Sequence, residues 1–249
     1  LPEYAVGIVL AIVVGLVIVG GIKSIGKICS RLVPAMGLFY ILGCLVLLIM
    51  NIKFLLPAIA LIMKSAFLPG KLTAAVAGGF IGSTVKSAAR YGIARGLFTN
   101  EAGLGSAAIA AAGAKTSHPS RQALISMSAT FWDTVVMCAI TGLVIVTNLL
   151  KNPSSAQGYS FAELTTAAFD AIPFGNQILG LSLIAFATAT LIGWSYFGEK
   201  AVEYLFGKPG INTYRICYIV MIFVCSIIAL DLVWELTDPV NAFMALPNL

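Results

Sequence analysis

The chain has 249 residues, 59% of them hydrophobic and 10% charged, with a formal net charge of +5. Soluble domains carry about a quarter charged residues, so this composition and the mean hydropathy of +0.99 exclude a water-soluble class and predict an all-α integral membrane bundle. The positive charge calls for no nucleic-acid partner, because the basic residues sit in short segments between apolar runs, the pattern that encodes membrane orientation.

Residues 4–21 form the first predicted span, long enough at about 1.5 Å per residue to cross the hydrocarbon core. Lys23, Lys27 and Arg31 follow as a short loop, and Pro34 sits in the first turn of a second span ending at Met50. Residues 54–67 are apolar but too short to span, and read as a surface or partly re-entrant helix around Pro57. Residues 72–91 contain Gly78, Gly79 and Gly82, which admit close helix approach, and end at Lys86 and Arg90; spanning and re-entrant readings both stay open.

Residues 123–150 are a long predicted span with Asp133 near its start. Residues 151–175 are a polar loop holding an amphipathic helix over 161–171, between Pro153 and Pro173. A span over 177–197 leads to Glu199, Lys200, Lys208 and Arg215. Another runs from 216 to 232, and Pro239 opens a final helix. With no initiator Met and an end where a further apolar run begins, residues 1–249 read as one transmembrane domain, the later part of a longer protein.

Three basic segments, 22–32, 115–121 and 199–215, hold three, two and three Lys or Arg residues. They share one side of the membrane only if residues 52–114 cross once, which places them in the cytoplasm and the 151–175 loop outside. Lys86, Arg90 and Arg95 oppose that arrangement. The five cysteines form no CxxC pair and have no neighbouring histidine, and they read as small packing residues. His118, the single histidine, reads as a solvated loop residue.

One stretch departs from the apolar pattern. Residues 96–110, GLFTNEAGLGSAAIA, bring a carboxylate, an amide, two hydroxyls and three glycines among apolar runs. Glycine weakens a helix, a carboxylate at membrane depth requires a cavity or partner, and irregular backbone at that depth survives only when buried in protein or lining a cavity. A helix broken near residues 96–106 is the expectation; a small-residue packing helix with Asn100 and Glu101 at the membrane face is the alternative. Glu101 reads equally as a cation or proton site and as structural support of the break. Asp133 reads as a gate ion pair or a hydrogen-bonded structural group. Thr188 and Thr190 bring hydroxyls to membrane depth, and Thr190 and Trp194 share a helix face at i,i+4. Back-bonding of either hydroxyl to its own helix is the competing reading.

Gly96 to Ser106, then Lys115-Thr116, Phe131-Trp132-Asp133-Thr134, and residues 192–200, IGWSYFGEK, together resemble the alanine/glycine:cation symporter family. That resemblance covers the whole chain and implies a leucine-transporter-type fold of two inverted repeats with broken helices at mid-membrane, of which these residues are the later part and the N-terminal repeat is absent. It implies Na+-coupled symport of alanine or glycine by alternating access at the cell membrane, with no cofactor. It places Phe98, Thr99, Asn100, Gly103 and Trp194 at the amino acid, Thr190 and Thr188 at Na+, and the 161–171 helix as an outer lid. Phe98 and Trp194 would leave room only for a small side chain. Backbone amides at helix N-termini would hold the substrate carboxylate. Coupling to H+ through Glu101, or carriage of another small solute, is the nearest rival. A channel lacks a repeated filter sequence. An intramembrane hydrolase lacks a placed histidine, a GxGD aspartate or an HExxH motif, so an enzyme is not expected.

Overall fold

The computed structural model describes residues 2–67, 92, 96, 99–101, 103–156 and 163–248. Every regular element among them is helical. In chain order these are α1 (Glu3–Val19), α2 (Gly21–Met50), α3 (Ile52–Phe67), α4 (Ser106–Ala112), α5 (Pro119–Lys151), α6 (Leu164–Phe169), α7 (Gly175–Phe206), α8 (Gly210–Cys225) and α9 (Leu230–Ala245). The predicted segment 72–91 lies outside the described residues.

Several predicted boundaries shift. The basic stretch 22–32 is not a loop: α2 begins at Gly21 and runs through it, leaving Pro34 inside the helix. Gly21 makes the turn after α1, at φ +66°, a backbone region that side chains with a Cβ avoid. Beyond it, Ile25, Ile28 and Cys29 pack on one apolar cluster at the i, i+3, i+4 spacing of a helix face, while Lys27 and Arg31 stay exposed. The basic segment 199–215 is likewise helical except around residues 207–209. The last predicted span divides, because α8 ends at Cys225 and α9 starts at Leu230 with Pro239 in its interior. At that end Ser226 donates its hydroxyl to the Phe223 carbonyl at 2.7 Å, the local competition by which serine interrupts a helix.

The chain packs as two compact units, one made of Leu1–Met36, Glu101–Gln122 and Leu183–Leu249, the other of Gly37–Asn100 and Ala123–Ser182. In the first, α1 lies against α8, and Gly7 and Gly15 face Ser226 and Ile219. Val14, Val17, Ile18, Ile25, Ile192 and Ile222 form its core. Between helices in lipid the tails are as apolar as the side chains, so close packing rather than water exclusion holds such a contact. At the α7–α8 contact Arg215 binds Glu199 through both nitrogens, Nε to Oε2 at 2.8 Å and Nη2 to Oε1 at 3.0 Å.

In the second unit α3 packs on the last part of α5. Lys151 Nζ donates to Asn51 Oδ1 at 3.0 Å, Tyr40 and Thr141 hydroxyls meet at 2.9 Å, and the Tyr40 ring stacks on Phe169. The expected 161–171 helix is shorter: α6 buries Leu164, Ala167, Ala168 and Phe169, and Asn148 Nδ2 donates to the Ala167 carbonyl at 3.3 Å. Residues 161 and 162 lie outside the described residues.

Among the described residues, Ser24–Met50, Pro119–Lys151 and Gly175–Phe206 are long and apolar enough to cross a membrane, and Tyr4–Val19 and Gly210–Cys225 are shorter apolar helices. Large apolar side chains point outward along them, with Leu16 74% and Ile49 68% exposed. Helices apolar all round belong in lipid.

Candidate functional site at the helix break

The polar stretch does leave helical geometry. Gly96 and Thr99 are helical, and Asn100 N donates to the Gly96 carbonyl at 3.1 Å. Glu101, Gly103 and Gly105 then take φ of +53°, +79° and +78°, and α4 starts at Ser106. Left-handed backbone is natural for glycine and costly for glutamate, about 1–2 kcal/mol, so Glu101 is held there by something else. Its Oε2 accepts the Ser106 hydroxyl at 2.8 Å, bridging from the turn to the first residue of α4. Ser106 is buried. This bond ties the turn to the start of α4. Phe98 lies outside the described residues.

The predicted site residues fall into both units. Thr99, Asn100 and Asp133 belong to one, and Glu101, Gly103, Thr188, Thr190 and Trp194 to the other.

In the unit holding Asn100, α5 changes character in its middle, where Phe131–Cys138 form a π-helical segment with i→i+5 geometry between two α-helical stretches. Such wide turns are rare and recur at functional sites. Thr134, inside it, donates its hydroxyl to Asn100 Oδ1 at 2.8 Å. Asp133 is half-buried, and its Oδ2 is fully enclosed without a hydrogen-bond partner among the described residues. A carboxylate oxygen enclosed that way can take a cation or a proton.

In the other unit, Thr188, Thr190 and Trp194 all lie on α7. The Thr188 hydroxyl donates to the Ile184 carbonyl at 2.7 Å, the back-bonded arrangement, which still leaves its oxygen lone pairs as acceptors. Thr190 is exposed and Trp194 half-buried, the indole edge-on to Phe197 at 5.6 Å. Two further bonds hold this part of α7: Tyr218 donates to the Leu191 carbonyl at 2.8 Å and Ser195 to the Ile192 carbonyl at 2.7 Å.

The sequence profile described as the sodium:alanine symporter family matches residues 1–249. The chain belongs to the sodium:alanine symporter family. It is 49% identical over 244 residues to the sodium/alanine symporter AgcS of Methanococcus maripaludis, covering 98% of this chain and 52% of that protein. It is 34% identical over 250 residues to the amino-acid carrier protein AlsT of Bacillus subtilis, covering 99% and 51% respectively. It is also 34% identical over 246 residues to the probable sodium/glutamine symporter GlnT of the same bacterium, covering 98% and 49%. The chain thus spans about half the length of the curated relatives it matches. The resemblance read from residues 96–106, 131–134 and 192–200 is the one the comparisons return. These are transporters, not enzymes, and the apolar helices make this chain a multi-pass protein of the cell membrane.

Sequence reasoning missed Thr134, Ser106 and Tyr218 as partners of the break and of α7. Thr134 stands in a motif already singled out, but its contact spans 34 positions, and no local pattern encodes that distance. Ser106 stands only five positions from Glu101, and its hydroxyl donates to that carboxylate rather than capping α4.

Proposed function

We propose that this chain carries part of the substrate path of a Na+-coupled symporter for a small neutral amino acid, alanine first. The observation that carries this reading is the break at residues 100–105, which sets Asn100 and its neighbours outside regular helix within a family named for sodium and alanine. In the leucine-transporter-type architecture we infer, residues 1–249 are one transmembrane domain and the break is one of two facing each other at mid-membrane. Thr99, Asn100 and Gly103 line the amino-acid site with Phe98 and Trp194, and Thr190 and Thr188 supply oxygens to Na+, a hard cation that takes oxygen ligands. Na+ then drives accumulation because it binds one conformation better than the other, which is the differential affinity that coupling requires.

A second substrate, glutamine, follows from the likeness to GlnT, but the identity to AgcS is higher, 49% against 34%. Glycine shares the alanine site by size. Coupling to H+ through Glu101 has weaker support, since one of its oxygens is already engaged by Ser106.

The test is initial-rate [14C]alanine uptake into proteoliposomes by the native transporter that carries this sequence, under an inward Na+ gradient and matched K+. We expect Na+-dependent accumulation that falls at least tenfold, or about 1.4 kcal/mol, in Thr190→Ala. Equal uptake in K+ overturns Na+ coupling. Uptake of glutamine but not alanine overturns the substrate.

A further inference from the structure

Asn100 offers one acceptor, Oδ1, and two donors on Nδ2; a half-turn about its last torsion, which is broad and two-fold, exchanges them. A polar ligand therefore meets either a donor or an acceptor unless something decides the orientation. A hydroxyl can also accept from Nδ2, but here Thr134 gives its proton to Oδ1 at 2.8 Å. The turned amide would leave that proton without this acceptor, so the contact favours the orientation in which the Nδ2 donors have no partner among the described residues.

That contact is unusual for α5. The other two threonines in its later turns, Thr141 and Thr147, donate backward to the Met137 and Leu143 carbonyls at 2.8 and 2.7 Å, and Ser128 donates to Ile125 at 2.7 Å. Back-bonding of this kind is the ordinary fate of a hydroxyl in an apolar helix. Thr134 alone among these lies inside the π-helical segment Phe131–Cys138. A wide turn takes the carbonyls out of α register, and the hydroxyl reaches instead to the broken stretch of another part of the chain. The segment thus has a use: it releases one hydroxyl from its own helix.

We propose that Thr134 is a positioning residue, which by engaging Asn100 Oδ1 reserves the Nδ2 donors of Asn100 for the carboxylate of the transported amino acid. The inference rests on the proposed amino-acid site and adds to it the end of the substrate that Asn100 reads. A carboxylate accepts two N–H bonds, and a bond in which the acceptor is ionised is roughly twice as strong as a neutral one. An amide free to turn would spend part of its time presenting an oxygen to that carboxylate.

The experiment is the concentration dependence of Na+-driven [14C]alanine uptake by the native transporter in proteoliposomes. Thr134→Val, which keeps the shape and removes the hydroxyl, is expected to raise the KM for alanine about three- to tenfold with Vmax within about twofold, the size of one lost hydrogen bond. Thr134→Ser restores the KM, and Thr134→Val adds nothing in an Asn100→Ala background. Asn100→Asp still accepts from Thr134 but has no donor, so its KM rises at least as far as that of Asn100→Ala. A wild-type KM in Thr134→Val or in Asn100→Asp overturns the inference, as does an undiminished Thr134→Val effect when Asn100 is already alanine.

For variants that fail to reconstitute, paired Asn100→Cys and Thr134→Cys substitutions read the contact in native membranes. Oxidative cross-linking absent from both single variants supports it, and no cross-link overturns it. Uptake by the wild type separates the two levels. A wild type that takes up no alanine with Na+ overturns the proposed function, whereas uptake indifferent to Thr134 overturns this inference alone.

Discussion

Two glycines nine residues apart carry opposite expectations. Gly105 has φ +78° at the start of α4, so Gly105→Ala forces a Cβ into left-handed backbone and costs about 1–2 kcal/mol. Gly96 is helical, with nothing within 4 Å of where a Cβ would stand. Gly96→Ala therefore gains helix propensity, up to about 1 kcal/mol. Thermal unfolding of the purified transporter in detergent should show the midpoint falling for the first and rising or holding for the second. The break was legible from residues 96–106 because glycine and a carboxylate among apolar neighbours leave few other readings. The conformation of Glu101 was not, since residues other than glycine seldom take a positive φ. Trp194 gives a third expectation at this scale. If its indole limits the size of the substrate, Trp194→Ala admits amino acids larger than alanine; an unchanged uptake profile would remove it from the site.

At the scale of elements, the pairing of α7 with α8 turns on Glu199 and Arg215. Both side chains are largely buried, 12% and 20% exposed, and each is the other's partner across two short bonds. Arg215→Met strands the carboxylate, and hydrogen bonds to a charged group are worth about 1.5–3 kcal/mol each way. Replacing both, as Glu199→Leu with Arg215→Met, removes the unpaired charge and should cost less than either single change. A double variant less stable than both singles would show that the pair itself holds the helices. Sequence reading placed these two residues in a basic loop. Charge marked the segment correctly as distinct from the spans, but whether it coils or bends depends on Tyr214 and Gly198 meeting across the helices, which composition does not report. The same limit applies to the basic stretch of α2, made helical by the burial of Ile25.

For the whole molecule, apolar surface faces outward on most helices, and three of the five free thiols, Cys138, Cys217 and Cys225, are exposed on it. The hydrocarbon core holds no water, so a water-soluble reagent does not reach a side chain facing lipid. In native membranes these cysteines should resist a water-soluble maleimide and label only after denaturation in SDS. Rapid labelling of Cys217 or Cys225 in intact membranes would place α8 against water instead.

Composition and periodicity determined that this protein is helical and membrane-embedded, because no soluble core accommodates so little charge. The motif between Gly96 and Ser106 determined where its helix breaks and which family it resembles, since the chemistry of a break is written in adjacent residues. Tertiary structure alone decided that α5 opens into a π-helical segment, that Thr134 and not a neighbouring hydroxyl meets Asn100, and that Glu199 finds Arg215. Each of these joins residues far apart in the chain, and such contacts are chosen by packing, which depends on every side chain around them at once.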